Sequence, residues 1–237
     1  MDTTAYLALS RQVALMRDMD VIANNMANVT TTGFRGELTL FETALRRAGE
    51  TPRLAFVQDV GTARDMSPGP LSATGNPLDL AVDGDGWLSF ATPDGVRYSR
   101  AGHLEIDGVG QVVDAAGNAL LDDGGAPLTV PPGDRDITIA ADGTVSNRAG
   151  VLGRIGLSAF ADPRALVPAG GNMWAAEDLP VPSTARLAQG MLEGSNVKPI
   201  LEMTRMIETT RAFEGTQKLI ETHHDIERRA VERVLAV

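Results

Sequence analysis

Residues 23–34, ANNMANVTTTGF, decide how the first part of this chain folds. The three threonines at 30–32 are β-branched, and β-branched side chains lower helix propensity. Gly33 can supply the positive φ of a turn that ends a helix. The stretch therefore predicts a helix that stops near Asn28, followed by a turn in which Phe34 and Arg35 anchor the loop.

Upstream of this stretch, the sequence predicts an amphipathic helix. Apolar or small residues recur largely at steps of three and four, the spacing of one helix face. Asp20 interrupts this face. Its members are Tyr6, Leu9, Val13, Met16, Ala23 and Ala27.

The other end of the chain carries a comparable stretch, LEGSNV at 192–197. A long helical pattern follows from Val197, with Ser195 or Asn196 placed to cap its start. Glu202 and Arg205 are expected on the outer faces of this helix. Some thirty helical residues would extend ~45–50 Å, so the helix needs a partner along most of its length. Its stripe consists of Ile200, Met203, Ile207, Thr210, Phe213, Gln217 and Ile220.

Two explanations fit the terminal helices. They could pair only with each other and close the domain, or they could present apolar faces to other subunits. Charge favours the second explanation: residues 54–190 hold 17 Asp and Glu against 8 Lys and Arg, whereas the two ends together hold 14 against 13. A balanced surface suits neighbouring proteins as well as water.

The middle of the chain has a different composition, because 20 of the 25 glycines and 11 of the 13 prolines lie in 54–190. Asp-Gly steps at 94–95, 107–108 and 142–143 are typical of β-hairpin turns. These features predict an antiparallel β domain, with strands at Leu78–Val82, Trp87–Ala91, Val96–Ser99, Gln111–Val113, Ile137–Ile139 and Val151–Phe160. Residues 37–47, ELTLFETALRR, instead predict a short helix with Leu38, Phe41 and Leu45 on one side.

Composition and motifs argue against several function classes. The net charge of -10 without a basic run disfavours nucleic-acid binding. Neither a signal peptide nor an apolar run of ~18 residues is visible, and there are no cysteines. Asp83-Gly84-Asp85-Gly86 resembles the start of a calcium loop, but Leu88 stands where that loop requires Gly. We therefore expect no catalytic, metal or cofactor site. An extracellular β module that binds a cation or carbohydrate is a less favoured alternative.

Three segments resemble the flagellar rod and hook family. The ANNMANV and TTGF segments are similar to its N-terminal motif ANNLANxxTTGF. Residues 189–197 and the later Arg211-Ala212-Phe213 are similar to its closing helix. Residues 83–104 resemble the family's GxGFFxVxxxxGxxxYTRxGxF, with Trp87-Leu88 replacing the usual aromatic pair and Leu104 replacing Phe. The resemblance covers essentially the whole chain.

The resemblance implies an α+β fold in which the terminal helices pair as an α-helical coiled coil beside a central, mainly antiparallel β domain. Residues 1–36 and 191–237 would form the rod-forming helical domain, 37–53 a connector, and 54–190 the β domain. The chain would be a structural subunit of the flagellar basal-body rod that polymerises through its terminal helices and transmits torque for motility. Proximal-rod members of the family look most similar, and distal-rod members are the alternative.

The implied partners are copies of this chain, other rod proteins and, in transit, the flagellar export apparatus. The implied location is the periplasmic part of the basal body, reached without a cleaved signal peptide. Asn24, Asn25 and Asn28 are expected to satisfy backbone groups where the first helix ends, and Phe34 to anchor the turn into the next subunit or domain. The predicted assembly interface comprises Leu9, Val13, Met16, Asn24, Asn25, Asn28, Thr32, Gly33, Phe34, Leu192, Glu193, Ser195, Asn196, Val197, Met203, Met206, Ile207, Arg211, Phe213 and Ile220.

Overall fold

The computed structural model describes residues 3–46, 54–131 and 136–235, and these residues form an α+β fold, as predicted. They divide into two compact units. Within the described ranges, unit 1 contains residues 3–27, 37–46, 54–65 and 198–235, and unit 2 contains the rest. The chain therefore enters and leaves unit 2 twice.

The first helix of unit 1, α1, runs from Thr3 to Ala27. It ends where the sequence predicted, because the threonines and Gly33 that follow do not continue a helix. Gly33, in unit 2, has a φ of +67°. A Cβ at this position would lie 2.6 Å from the carbonyl carbon of Arg100, so both the backbone conformation and the space require glycine.

Two strands, β1 (Glu37–Arg46) and β2 (Leu54–Arg64), form an antiparallel pair in unit 1. The prediction of a helix from residue 37 was therefore wrong, although residue 47 lies outside the described residues. Leu38 and Leu40 alternate with polar residues, and this two-residue period competes with the helical spacing of Leu38, Phe41 and Leu45. The register shifts between Leu40 and Phe41, opposite Gly61 at a φ of +136°.

The last helix, α2, runs from Pro199 to Leu235 and completes unit 1. At 37 residues it is about 55 Å long, slightly longer than predicted. Its first residue is Pro199, whose fixed φ suits a helix start. Neither Ser195 nor Asn196 is therefore adjacent to the helix, and the predicted cap was wrong. No helix in the described ranges is long and apolar enough to cross a membrane.

Unit 2 is built from short strands that pair antiparallel, as predicted. The strands are β3 Leu71–Ala73, β4 Leu80–Asp83, β5 Trp87–Thr92, β6 Gly95–Ser99, β7 Leu104–Ile106, β8 Val112–Asp114, β9 Ala119–Leu120, β10 Thr138–Ile139, β11 Thr144–Asn147, β12 Gly150–Arg154, β13 Leu157–Ala159, β14 Val167–Pro168, β15 Trp174–Ala175, β16 Val181–Pro182, β17 Arg186–Gln189 and β18 Met191–Glu193. The largest sheet has the order β14-β15-β6-β5-β9-β8-β7, and β13 links β5 to β16. Strands β10, β11 and β12 form a second sheet, β17 pairs with β4, and β18 pairs with β3.

Aliphatic side chains from these strands form the main core of unit 2. Leu80, Leu88, Phe90 and Leu120 have no exposed surface. A smaller cluster surrounds the two tryptophans, Trp87 and Trp174, whose rings meet edge to face with centroids 5.8 Å apart. Burial of such large apolar side chains is the main source of stability in a domain of this size.

Three turns of unit 2 that contain Asp have the same hydrogen-bond pattern. At Asp107 the carboxylate accepts hydrogen bonds from the backbone N–H groups of Val109 and Gln111. Asp114 does the same for residues 116 and 118, and Asp122 for residues 124 and 126. The glycine three residues after each of these Asp residues has a positive φ. These carboxylates organise tight turns between strands.

Candidate assembly surface

The two faces of α1 differ in the size of their side chains. The outer face carries the α1 patch, which we define as Tyr6, Leu9, Val13 and Met16 and whose members are between 53% and 61% exposed. The inner face is buried and contains mostly small side chains: Ala8, Ala14, Val21, Ile22 and Asn25. These four large apolar residues of the N-terminal part of α1 thus do not pack in the interior of unit 1.

The first turns of α2 also expose large apolar side chains. The α2 patch, which we define as Ile200, Leu201, Met203 and Ile207, is between 51% and 78% exposed. The buried residues that recur at intervals of seven on this helix are polar: Glu202, Thr209 and Thr216. Glu202 is therefore not on an outer face, contrary to the sequence prediction.

Asp18 on α1 organises the polar interior of unit 1. Its Oδ1 accepts hydrogen bonds from the Oγ1 of Thr39 on β1 at 2.6 Å and from Nη2 of Arg205 at 3.2 Å. Its Oδ2 accepts a hydrogen bond from the Oγ1 of Thr209 at 2.9 Å. One carboxylate thus connects both helices and the first strand, and hydrogen bonds to an ionised acceptor are shorter and stronger than those between neutral groups.

Asn25 provides a second polar connection in unit 1. Its side chain donates to the carbonyl oxygen of Glu37 and accepts from the N–H of Glu37, both at 2.8 Å. Its Nδ2 also donates to Oε2 of Glu202 at 3.3 Å. Asn25 therefore satisfies backbone groups, as predicted, but these groups belong to the first residue of β1.

Glu193, at the end of β18, lies at the centre of a fully buried ion cluster in unit 2. Its Oε1 accepts from Nη2 of Arg35 at 2.6 Å and from the N–H of Gly69 at 2.9 Å. Its Oε2 accepts from Nη1 of Arg100 at 3.1 Å, and its backbone oxygen accepts from the N–H of Gly33 at 2.8 Å. The TTGFR and LEGSNV segments, far apart in sequence, thus meet at one carboxylate.

Arg100 extends this cluster into the sheet. Its guanidinium donates to the carbonyl oxygens of Val82 and Gly84 and lies 5.4 Å from the ring centroid of Trp87. A buried charge is costly unless it is paired and hydrogen-bonded, and here the carboxylate of Glu193 offsets part of that cost for two arginines.

Asn196 makes further contacts inside unit 2. Its Oδ1 accepts from the N–H of Gly36 at 2.8 Å, and its own N–H donates to the carbonyl oxygen of Phe34 at 3.3 Å. Ser195 is buried, and its Oγ accepts from the N–H of Val197. The carbonyl oxygen of Thr32 accepts from the side-chain amide of Asn172 at 2.6 Å.

The predicted interface residues therefore separate into accessible and buried groups. Leu9, Val13, Met16, Met203 and Ile207 expose apolar surface on the helices of unit 1. By contrast, Asn25, Gly33, Phe34, Glu193 and Ser195 are buried within the chain. Of the remainder, Asn24 and Arg211 are exposed, and the others are half-buried: Asn28, Thr32, Leu192, Asn196, Val197, Met206, Phe213 and Ile220.

Sequence reasoning missed several residues that organise this region. Asp18 could have been singled out from the sequence, because it is a charged residue just before the apolar-rich end of α1. Thr209 and Thr216 could also have been singled out, since they continue the seven-residue interval that begins at Glu202. The contact of Arg100 with Glu193 joins residues 93 positions apart, and no local pattern indicates it.

Three family models match the chain. Residues 6–35 match "Flagella basal body rod protein", residues 81–147 match "Flagellar hook protein FlgE/F/G D1 domain", and residues 188–233 match "Flagellar basal body rod FlgEFG protein C-terminal". The first and last matches contain the two motif segments that meet at Glu193.

Whole-chain comparisons agree with these matches. The chain is 39% identical to the flagellar basal-body rod protein FlgF of Caulobacter vibrioides, over 99% of this chain and 98% of that protein. It is 33% identical to FlgF of Salmonella typhimurium, over 97% of both chains. It is also 31% identical to the rod protein FlgG of Bacillus subtilis, over 93% of this chain and 95% of that protein.

Proposed function

The chain belongs to the flagellar basal-body rod family, and we propose that it occupies the proximal rod, where its terminal helices pack against those of neighbouring subunits. Its full-length similarity to FlgF proteins identifies a structural subunit of the basal body and not an enzyme. The proximal position is supported by the 39% identity to FlgF of Caulobacter vibrioides, against 31% to FlgG of Bacillus subtilis.

The proposed packing rests mainly on the exposure of large apolar side chains on the two helices of unit 1. Soluble monomers rarely expose contiguous apolar patches, and such patches mark sites of interaction with other proteins. Here four large apolar residues on α1 and four on α2 are more than half exposed, while most of the fully buried positions of the two helices hold Ala, Thr or a polar residue. In a polymer these patches would be covered and would serve as contact surfaces, whereas in the isolated subunit they face water.

We also propose that α1 and α2 pair as a coiled coil in the rod. The seven-residue interval of the buried residues on α2 and the hydrogen bonds from Asp18 to Arg205 and Thr209 support this pairing. In this proposal the segments 1–36 and 191–237 include the two helices that supply the contacts to copies of this chain and to other rod proteins. Torque would pass along the helices.

The proposal includes a route and a location. The subunit would cross the cytoplasmic membrane through the flagellar export apparatus, without a cleaved signal peptide, and assemble in the periplasm. A distal-rod position is the second candidate, because FlgG proteins also match more than nine-tenths of the chain.

Complementation of a strain that lacks the gene for this chain tests the proposal. The unaltered gene should restore swimming, and electron microscopy should show the rod completed from its proximal part. A Val13→Asp, Met203→Asp chain should leave basal bodies without a complete proximal rod, because each change places a charge on an apolar patch. Basal bodies that lack only the distal rod would support the FlgG-like alternative.

The matched control is Val109→Asp, since Val109 is an exposed valine in a turn of unit 2. This variant should restore swimming to the level of the unaltered gene. If the Val13→Asp, Met203→Asp chain also restored swimming, although present at normal levels, the helix patches would not be the contacts that build the rod.

A further inference from the structure

We propose that residues 28–36 form a strap that closes on unit 2 after its sheets have formed and opens again before the sheets do. The strap is the segment through which the chain passes from α1 to β1. This inference goes beyond the proposed function, because it concerns how a single chain completes unit 2 and not what the subunit assembles with. It gives the strap the role of a device that closes only in a chain that is complete up to residue 197.

Backbone hydrogen bonds join the strap to the segment that precedes α2. The N–H of Gly33 donates to the carbonyl oxygen of Glu193 at 2.8 Å, and the carbonyl oxygen of Phe34 accepts from the N–H of Asn196 at 3.3 Å. The N–H of Gly36 donates to Oδ1 of Asn196 at 2.8 Å. Contacts of this kind would also hold a separate peptide in a groove. None of the strand pairs described above includes a residue of the strap, so these hydrogen bonds can be released without separating two strands.

The site that receives the strap contains residues from far along the chain. Arg35 is 1% exposed, and its Nη2 lies 2.6 Å from Oε1 of Glu193. Because a buried guanidinium is costly without an anion beside it, Arg35 can enter this site only after Glu193 is in place. Glu193 in turn lies at the end of β18, where it pairs with Leu71 of β3. Closure of the strap therefore follows the pairing of these two strands.

The strap also packs against the end of β6. A Cβ on Gly33 would lie 2.6 Å from the carbonyl carbon of Arg100, the residue that follows this strand. Such a close approach between two backbones needs the second backbone to be fixed already. The strap thus closes on a sheet that has formed.

Sequence separation gives the same order of events. Arg35 and Glu193 are 158 positions apart, and Gly36 and Asn196 are 160 positions apart. By contrast, β5 and β6 pair from Thr92 and Gly95 onward and form a hairpin. Contacts between residues that are distant in sequence form late, because the cost of closing the loop precedes the stabilisation.

The sheets can remain intact when the strap opens. Glu193 would still accept hydrogen bonds from Nη1 of Arg100, now at 3.1 Å, and from the N–H of Gly69, now at 2.9 Å. Arg35 would return to water, where its charge needs no buried anion. Among the described residues, neither apolar cluster of unit 2 includes Phe34, the buried aromatic residue of the strap. Opening therefore leaves the main core closed.

Closure joins the two points at which the chain leaves unit 2, after Gly36 and after Val197. The hydrogen bond from Gly36 to Asn196 holds these points together. In a chain that does not yet extend to Glu193, Arg35 has no anion to enter beside, so the strap stays open while the local hairpins form. The strap thus delays the last step of folding until both of its halves are present.

Native-state amide hydrogen exchange on the full chain tests which part of unit 2 opens first. The amides of Gly33, Gly36 and Asn196 report the strap, and the amide of Val112 in β8, which donates to the carbonyl oxygen of Leu128, reports the sheets. In the unaltered chain we expect protection factors of the strap amides to be at least ten-fold lower than that of Val112, with a smaller dependence on urea. Equal protection and equal urea dependence would overturn the proposal.

Two substitutions separate the strap from the sheets. Arg35→Met removes the buried charge of the strap and should lower strap protection at least ten-fold, whereas Arg148→Met, at an exposed arginine of unit 2, should change nothing. Leu120→Ala weakens the sheets whether the strap is closed or open. It should therefore lower protection of Val112 by roughly 30-fold or more and leave the strap amides unchanged. If Leu120→Ala lowered both equally, strap and sheets would open as one unit, contrary to the proposal.

Stopped-flow refolding tests the order of folding, because both tryptophans lie in unit 2. Arg35→Met should unfold at least ten-fold faster than the unaltered chain and refold at the same rate, since the strap closes after the sheets. Refolding slowed by the whole loss of stability would overturn the proposal, and so would an Arg35→Met chain whose sheet amides are unprotected. None of these measurements involves assembly, so their failure would leave the complementation test of the proposed function unchanged.

Discussion

Unit 1 and unit 2 differ in the kind of side chain that they bury. The core of unit 2 consists of large aliphatic and aromatic side chains, including Leu80, Phe90 and Trp174. The most buried positions of the helix pair in unit 1 are alanines, threonines and polar groups beside Val21 and Ile22, and several of its larger apolar residues, such as Leu9 and Met203, are exposed. Unit 2 is therefore stabilised by its own core, whereas unit 1 leaves part of its apolar surface exposed.

This difference supports the proposal that the chain assembles through its two helices. Helices without extensive apolar packing are marginal in water, because their propensity alone barely offsets the cost of nucleation. The polar contacts of Asp18 and Asn25 fix which helix faces pair without adding much hydrophobic stabilisation. Covering the outer patches in a polymer would supply the missing burial.

The largest effect on this contrast is expected from Glu193→Gln. The change leaves Arg35 and Arg100 buried without their anion, and loss of one partner from a buried ion pair costs roughly 3–5 kcal/mol. Both tryptophans of the chain lie in unit 2, so denaturant unfolding followed by tryptophan fluorescence reports that unit. Asp225→Asn, which removes an exposed ion pair with Arg228, is the control and should unfold as the unaltered chain does. Equal midpoints for the two variants would show that the cluster does not stabilise unit 2.

A Leu→Ala substitution should lower stability in unit 2 but impair assembly in unit 1. Leu120→Ala opens a cavity in a fully buried site and should destabilise unit 2 by roughly 2–5 kcal/mol. Leu9→Ala should leave the unfolding midpoint unchanged, because its side chain is half exposed, but it should reduce swimming in the complemented strain. A Leu9→Ala chain that swims normally would weaken the contrast.

A smaller and more local effect is expected from Asp18→Ala. It removes the acceptor for Thr39, Arg205 and Thr209, and net hydrogen bonds to charged groups contribute about 1.5–3 kcal/mol. Amide hydrogen exchange should accelerate in α1 and in residues 203–216 of α2, while the fluorescence transition of unit 2 stays unchanged. Unchanged exchange in α2 would mean that Asp18 does not hold the helices together.

The smallest effect concerns pH. Hydrogen bonds from the backbone N–H and the hydroxyl of Thr144 hold the pKa of Asp142 below its ordinary value of 3.8. Because the folded pKa is the lower one, the stabilisation is present above pH 3.8 and is lost as the pH falls through the folded value. The melting temperature of Asp142→Asn should therefore decrease less between pH 5 and pH 3 than that of the unaltered chain. An identical decrease would show that this turn does not contribute.

Local sequence predicted the parts of the fold that depend on backbone chemistry. The end of α1 and the antiparallel strands of unit 2 follow from β-branched residues, glycines and Asp-Gly turns. The segment from residue 37 was mispredicted, because the spacing of its apolar residues fits both a helix and a strand. Contacts of Glu37 with Asn25 and of Thr39 with Asp18 favour the strand, and both partners lie on another element.

The candidate surface was only partly predictable for a similar reason. Spacing identified Val13 and Met16 as one face of α1, but spacing does not tell whether that face points inward or outward. Glu202 was assigned to an outer face because charged residues usually are. Its burial follows from Asn25 and Arg205, which satisfy the carboxylate. The ion cluster at Glu193 depends on three distant segments and has no local signal.

We expect unit 2 to be stable by itself and the helix pair of unit 1 to be only marginally stable in the monomer. Native-state amide hydrogen exchange on the purified full-length monomer distinguishes the two, because exchange measures local stability residue by residue. We expect amides in β5 and β9 to exchange only through global unfolding, and amides in α1 and α2 to exchange at least a hundred-fold faster. Equal protection of the helices and the strands in a verified monomer would contradict the claim.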